Sequence, residues 1–565
     1  MTTQRDPLSA RWLDTACLFS MLALSIARSG IGLYVFNQTF QVPLVESIRD
    51  PSAFPGDLFV RTLAHYASPF WWAVARLPIP VRVLLIGGLV VARLFMLYSA
   101  GRLASAVAPS ARLARPIAWA FFALAPSPAI GAGTMVPGYF EHTSVALACI
   151  MMASAFVLER RTAAAGLLLG LAFACNFLYA AFAATFLGAL LLVRKDIPHR
   201  WRIALALPLA LPVLAMAAHA SADRARDASL WIRALLAYFP YHFDPRVWSP
   251  GQIGRFLVAL SSGAAAFWLT RARFARGPLV AASWMALVAG YLAISFLSVT
   301  VLPIPGLVAI HPARAVDVFA CLFVVCALAL LIEEAEDASG ARVWVAGALV
   351  GLLFGPWYMG LQAVAQVIAW ALLVPLVVHR KSARVAFAAP LGLVGLFAAF
   401  SVITRAHAGP SLLMDEPPLE VREAARDAAQ RSPSDAVFLV PPEWGSFRAM
   451  SERAAFVTWQ EGAAMLWQQS YAETWIARLA ALGYDLRTES ARVDDARPGV
   501  TRAYATLDDA RVCGIARAYR IDYWIAPKNE PTCLPVAWST GDRVVLTLKD
   551  GCVAPPAACT PTLPR

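Results

Sequence analysis

Three carboxylates crowd one polar stretch early in the chain: Glu46, Asp50 and Asp57, set among Pro43, Pro51, Pro55 and Gly56. A second phrase, Gly138 to His142, places Glu141 and His142 side by side where an apolar run begins. Farther on, Tyr238 to Trp248 carries His242, Asp244 and Arg246, and His311 stands three residues before Arg314, with Asp317 close behind. A carboxylate in such a place can take a proton from an acceptor hydroxyl, or can hold a hard cation such as Mg²⁺ or Mn²⁺. The forked donors of Arg314 and Arg246 suit a phosphate. Each residue also has a plainer reading. Asp50 sits in an Asp-Pro turn, Glu141 can cap a helix through its exposed amides, and a lone histidine is commonly a hydrogen-bonded surface group. Joint placement is the stronger signal, because all these groups fall in loops that the hydropathy pattern puts on one side of a membrane.

That pattern comes from the elements between them. The chain has 565 residues, 59% hydrophobic and 15% charged, with a mean hydropathy of +0.60. Soluble domains run near 45–50% apolar and about 25% charged, so an ordinary cytosolic enzyme and a disordered chain are both excluded. Apolar runs at Thr15–Phe36, 79–98, 116–134, 142–158, 162–175, 177–193, 203–219, 253–269, 278–299, 316–332, 343–355, 361–378 and 385–403 predict about thirteen transmembrane helices in a polytopic α-helical membrane protein. The first lacks a small-residue cleavage site and reads as an uncleaved span. Basic clusters at Arg102, Arg112 and Arg115, at Arg160 and Arg161, at Arg194 to Arg202, at Arg271 to Arg276 and at His379 to Arg384 all fall in even-numbered loops. By the positive-inside rule those loops and the N-terminus are cytoplasmic, and the rest of the chain after 404 is periplasmic, in a bacterial inner membrane. The net charge of +12 is then a record of topology, and no nucleic-acid partner is implied. The acidic loop Glu333 to Arg342 gives this orientation no support. Loop 37–78 is the long first outer loop, and its second half, Val60 to Leu77, is expected to lie in the interface plane with Trp71, Trp72 and Arg76 at its edge.

Composition changes after the multi-pass region 1–404. Residues 405–565 are rich in charge and turns, with strand-like runs at Ala436–Val440, Ala454–Trp459, Tyr523–Ala526 and Val544–Leu548 and helical spacing at Ser470–Leu482. This is expected to be a C-terminal soluble α/β domain. Cys17, Cys149, Cys175, Cys321 and Cys326 lie in predicted spans as small apolar fillers, whereas Cys513, Cys533, Cys552 and Cys559 lie in the tail. An even set in an oxidising compartment predicts one or two disulfides, with three possible connectivities. Trp444 and Arg448 follow a predicted strand, where α/β domains commonly bind ligands, although packing the tail onto the membrane region explains them equally well. The chain carries no glycine-rich nucleotide motif, which argues against a nucleotide cofactor.

An acid-bearing first outer loop, a second acid at the mouth of the next loop, about thirteen spans and an external tail resemble the GT-C membrane glycosyltransferases, among them oligosaccharyltransferase catalytic subunits and protein- and lipid-mannosyltransferases. The phrases Asp50 to Asp57 and Asp435 to Arg448 look like a bacterial branch of that superfamily. The resemblance implies that Asp50 or Asp57 contacts the acceptor or a metal, and that Glu141 helps bind metal or the donor phosphate. Beside it, joint placement on one face makes His142, His242, Asp244, His311 and Arg314 substrate-binding candidates, the loop after a tail strand adds Arg448, and Asp50 with Glu141 are the expected ligands of Mg²⁺ or Mn²⁺. Two departures bear on the chemistry. The second loop shows Glu141-His142 in place of two acids one apart, and the tail lacks the Trp-Trp-Asp phrase that would imply N-glycosylation. The activity implied is transfer of a sugar from a polyprenyl-phosphate-linked donor, with membrane lipid as the other partner. A transporter or flippase of a lipid-linked substrate, and a non-catalytic scaffold, are the rival classes.

Overall fold

The computed structural model describes residues 7–124, 136–220, 223–358, 360–379, 414–529, 531–549 and 551–552. Most predicted spans coincide with helices, because each long apolar run satisfies its own backbone hydrogen bonds. Six described helices are long and apolar enough to cross a membrane: Val81–Val107, Arg200–His219, Pro250–Leu269, Gly277–Thr300, Pro305–Asp337 and Gly360–Val378. Shorter apolar helices, including His142–Leu158, Thr162–Cys175 and Phe177–Val193, pack among them in a multi-pass membrane architecture. The predicted span 385–403 and the boundary at 404 lie outside the described residues, as does 125–134 of the third span.

Two departures from the sequence reading matter for function. The first helix stops at Ser29, short of the predicted Phe36. Gly30 takes positive φ and ends the helix, and Tyr34 and Phe36 take it again as the chain turns away from the helix axis. Ile31–Gly32 there pairs in parallel with Met414–Asp415. The segment Val60–Leu77 is likewise no continuous interfacial helix. It divides into Leu58–Thr62, a 3-10 turn and Pro69–Ala75, and Trp71 is fully buried inside the protein.

Helix Ala315–Asp337 is the axis of the bundle, with nearly every residue buried. Its C-terminal end answers the anomaly of the acidic loop. Glu334 and Asp337 pair with Arg273, Glu336 accepts from the backbone of Arg112 and Leu113, and Glu333 accepts from Ser110. The acids therefore neutralise two of the basic loops, and those loops meet at one end of the bundle.

Gly347, Gly351 and Gly355 line one edge of the neighbouring segment, where it crosses helix Gly360–His379. A Cβ at Gly351 would stand 2.3 Å from the carbonyl oxygen of Val367. Small residues at this spacing let helix backbones touch, which is the principal way apolar helices attract one another in lipid. Gly351→Ala is expected to push the pair apart and lower stability by about 1–3 kcal/mol, read by thermal unfolding in detergent.

The C-terminal region contains a five-stranded mixed sheet in the spatial order Ala454–Ala455, Val437–Leu439, Tyr523–Pro527, Arg543–Thr547, Val536–Thr540. The first three strands run parallel and the last two join antiparallel. Helix Tyr471–Leu482 matches the sequence reading. Strand Val536–Thr540 lies at the sheet edge and was not legible, because alternation with exposed positions leaves it little apolar signal. Cys513 and Cys552 form a disulfide, Cys533 is also disulfide-bonded, and Cys559 lies outside the described residues. The five span cysteines are free and buried. One apolar core runs without interruption from the sheet's helices through Trp231 and Ile232 into Phe40, Phe59 and Trp71 of the first loop.

Candidate functional site

The polar residues singled out by sequence fall into one converging group and several separate ones. The group gathers at the end of the bundle where Ala315–Asp337 begins. That helix has 23 residues, so its start stands about 35 Å from the acid-paired basic loops at ~1.5 Å per residue.

Glu141 occupies the N-cap position of helix His142–Leu158, yet its side chain makes no capping bond. Instead its Oε1 accepts from Asn37 Nδ2 at 2.8 Å and from Thr143 Oγ1 at 3.1 Å. Asn176 extends this chain by donating to Thr143 at 3.1 Å. The same asparagine caps helix Phe177–Val193 through Tyr179 N, which is why the apolar run breaks there. His142 is buried, with Trp71 Nε1 at 3.2 Å from its Nδ1 and Tyr66 Oη at 3.2 Å from its Nε2.

Arg314 lies opposite. One guanidinium nitrogen donates to Tyr179 Oη at 3.0 Å, and the Tyr179 hydroxyl donates to Asp317 Oδ2 at 2.5 Å. The Arg314 charge also rests over the Tyr179 ring at 4.8 Å. No carboxylate lies within ion-pair distance of Arg314 among the described residues, and its buried Nε has no hydrogen-bond partner there. Buried donors are ordinarily satisfied, so this guanidinium N–H is a donor left available to water or to a ligand. Both Glu141 and Arg314 act on the Tyr66 and Tyr139 phenols, so the acid and the base share one neighbourhood. Burial pushes the Tyr66 phenol up and Glu141 adds to the rise, while Arg314 opposes it.

His311 and His242 border this group. Their rings are 6.1 Å apart, and Phe243 and Phe239 pack against them at 4.4 and 4.0 Å. His311 takes a left-handed conformation, with φ of 47°, just ahead of Pro312. This fixes the turn that delivers Arg314.

Four other candidates lie elsewhere. Asp50 is exposed at the end of helix Gln38–Arg49 and accepts from the backbone and side chain of Ser52 at 2.9 and 2.6 Å. Those two bonds hold its carboxyl below the usual range. Asp244 closes a local turn with Arg246, whose guanidinium it grips at 2.7 to 3.0 Å. Asp57 and Arg448 meet at 2.6 Å with 1% of either side chain exposed. Arg448 reaches on to Glu461 at 2.6 Å, and Tyr471 Oη donates to the same acid at 2.9 Å. These residues bind the first loop to the tail.

A metal held by Asp50 and Glu141 does not fit this arrangement. Asp50 is engaged with Ser52, and Glu141 is surrounded by amide and hydroxyl donors rather than by further acids. Among the described residues no three His, Cys, Asp or Glu side chains gather as metal ligands.

A family described as a domain of unknown function (DUF6798) matches residues 420–482, the stretch that contains Arg448, Glu461 and Trp467. A comparison with curated proteins finds no match. Among solved structures, the chain is similar to ArnT from Cupriavidus metallidurans in the apo state, at 12% identity over 96% of this chain and 98% of that one, with a TM-score of 0.43. The same ArnT bound to undecaprenyl phosphate gives 15% identity over the same shares and a TM-score of 0.37. The Archaeoglobus fulgidus oligosaccharyltransferase in the apo form is similar at 11% identity, over 91% of this chain and 70% of that one, with a TM-score of 0.44.

Tyr66, Trp71, Asn37, Asn176 and Tyr179 are site residues that the sequence did not single out as candidates, and Asp317 was noted beside Arg314 without a role. Asp317 carried a usable signal, since an acid in the first turn of a strongly apolar span needs a partner. Asn176 did too, as the polar break between two short runs. Tyr66 and Trp71 carried none, because an aromatic residue in an apolar-edged segment looks the same whether it faces lipid or protein.

Proposed function

We propose that this chain is a GT-C-like glycosyltransferase of the bacterial inner membrane, moving a sugar from a polyprenyl-phosphate-linked donor to an acceptor hydroxyl. Arg314 carries the reading. It is a partly buried cation with no ion-pair partner among the described residues, held by Tyr179 and within the electrostatic reach of Asp317 and Glu141. Arg314 binds the phosphate and stabilises the charge that grows on it as the bond breaks. Glu141 takes the acceptor proton. The acceptor oxygen forms its bond to the anomeric carbon, the bond from that carbon to the phosphate oxygen breaks, and the electron pair leaves with the phosphate. No step is routed through a metal.

The basic loops gather at the opposite end of the bundle, and by the positive-inside rule this supports a reading in which the site and the C-terminal region face the periplasm and the N-terminus the cytoplasm. Donor entry from the bilayer suits a site at the mouth of a helix bundle.

The test is complementation of a deletion strain, read by cell-envelope glycan analysis and by transfer with purified protein. Arg314→Ala is expected to lower transfer by about 10²- to 10³-fold, in the range of a lost transition-state donor. Glu141→Gln is expected to lower it by about 10²-fold or more with the donor still bound. Wild-type transfer in both variants would end the proposal. Asp50→Ala separates this site from the one first suggested by the sequence, because a loss equal to that of Arg314→Ala would move the chemistry to the first loop.

A further inference from the structure

The order of hydrogen bonds through His142 fixes a proton whose destination the site has not yet used. An indole N–H can only donate, so the bond from Trp71 Nε1 requires a bare lone pair on His142 Nδ1. The imidazole is then neutral with its proton on Nε2. That proton points along the 3.2 Å contact to Tyr66, so the histidine donates and the phenolic oxygen accepts. Tyr66 keeps its own O–H for another acceptor, and none is found among the described residues. The Gln41 side-chain amide approaches the same Nδ1 at 3.5 Å, again from the donor side, and its Oε1 is buried without a partner.

The chain that sets this direction is rigid. Trp71 is fully buried, edge-on to Phe70 and Phe140. Tyr66 is held edge-on by Phe40 at 5.7 Å and by Trp467 of the tail at 5.1 Å. Trp467 is itself tied to Thr62 by a 3.0 Å hydrogen bond. Burial and the Glu141 charge keep the phenol protonated, so it remains a donor at any physiological pH. A fixed phenolic O–H without an acceptor and a guanidinium Nε–H without an acceptor thus lie along one run of polar contacts, Tyr66 on His142, Thr143 on Asn176, Asn176 on Tyr179 N and Arg314 on Tyr179 Oη. An oxygen-rich anion satisfies both.

Resting on the glycosyltransferase reading above, we propose that Tyr66 is a second phosphate-binding donor beside Arg314, turned toward the ligand by the Trp71–His142 pair. Trp71 and His142 are positioning residues that act through Tyr66. The ligand chemistry is a phosphate ester, carried either by a polyprenyl lipid or as free phosphate.

The experiment uses the full chain in lipid nanodiscs, with a polyprenyl phosphate, the matching polyprenol and inorganic phosphate as separate probes. Tyr66→Phe keeps the ring packing and removes only the donor. It is expected to weaken polyprenyl phosphate binding by about ten- to a hundredfold, the range for a hydrogen bond to a charged group. Polyprenol binding should not change. Equal polyprenyl phosphate binding by Tyr66→Phe and wild type would overturn this proposal and leave the proposed function standing. Wild-type protein that binds polyprenol as well as its phosphate would overturn both. Inorganic phosphate that binds as tightly as the lipid, with the same loss in Tyr66→Phe, supports the donor role and identifies free phosphate as the source. Nitrogen-15 spectra of labelled histidine test the orienting step separately, with His142→Gln to identify the signal. The wild type should show a bare Nδ1 and a protonated Nε2. A protonated Nδ1 would overturn the proposal whatever the binding result, and Trp71→Phe should release the ring to a mixture of both forms.

Discussion

Arg448→Ala is expected to cost about 3–5 kcal/mol of stability, the range for removing one partner from a buried ion pair. The guanidinium serves two acids at once, Nε toward Asp57 and one terminal nitrogen toward Glu461, with all three side chains at most 1% exposed. Burial alone would lower the Arg448 pKa, but the two carboxylates outweigh it and hold the charge in place. Alanine would leave both acids facing each other in an apolar enclosure that includes the Phe59 ring beneath the guanidinium. Arg448→Lys should be only partly tolerated, since a single ammonium cannot reproduce the fork. Asp57→Ala should cost less than Arg448→Ala, because Arg448 keeps Glu461, with a further loss of about 0.5–2 kcal/mol from the cap on Leu58–Thr62. Replacing Arg448, Asp57 and Glu461 together with apolar residues should recover much of the loss. Urea unfolding of detergent-purified protein, followed by tryptophan fluorescence, gives all four values. An Arg448→Ala loss below about 1 kcal/mol would be the value of an exposed pair and would contradict the burial.

This linkage marks where the sequence was readable and where it was not. Span positions follow from local composition, so helices such as His142–Leu158 and Phe177–Val193 begin and end where the apolar runs do. The start of the tail sheet at Val437–Leu439 was legible for the same reason, as a short apolar run between turn signals. Pairing between distant segments was not. Arg448 and Asp57 were both singled out as site candidates, and their separation of 391 residues hides the fact that they satisfy each other. Asp244 was hidden by the opposite circumstance, since a carboxylate two residues from an arginine reads as chemistry in a list and as a turn in space. Glu141, His142, Arg314, His311 and His242 were named from three separate loops and do come together. What identified them is joint placement, since all lie in loops that the hydropathy pattern puts on one side of the membrane, and for Glu141 and His142 also the cost of an ionisable group at the edge of an apolar run.

The tail also takes part in the site rather than hanging from it. Trp467 packs on Tyr66 and bonds to Thr62, and Trp231 Nε1 donates to the carbonyl of Met465 at 3.1 Å. A change that loosens the tail therefore reaches the Trp71–His142–Tyr66 chain. Arg448→Ala should lower ligand binding as well as stability, and the binding loss should be relieved wherever unfolding of the tail is suppressed.

Removing the Cys513–Cys552 disulfide is expected to destabilise the tail by about 4 kcal/mol, from the loop-closure entropy of its 39-residue separation. The bridge joins helix Asp509–Tyr519 to the chain just past strand Arg543–Thr547 and so encloses three of the five sheet strands. The Cys513→Ala, Cys552→Ala double variant is the appropriate probe, because a reductant would also break the bridge that Cys533 makes. Urea unfolding of the double variant against wild type measures the effect. A loss under about 1 kcal/mol would mean that the unfolded tail is already constrained, for which the bridge at Cys533 is the obvious agent. The redox state also tests topology. Thiol labelling of protein taken directly from native membranes should leave Cys513 and Cys552 unmodified until they are reduced, because disulfides persist in oxidising compartments. Free thiols at these two positions would put the tail on the reducing side of the membrane. The basic loops would then face outward and the Glu141–Arg314 site would face the cytoplasm, which would exclude transfer on the periplasmic face.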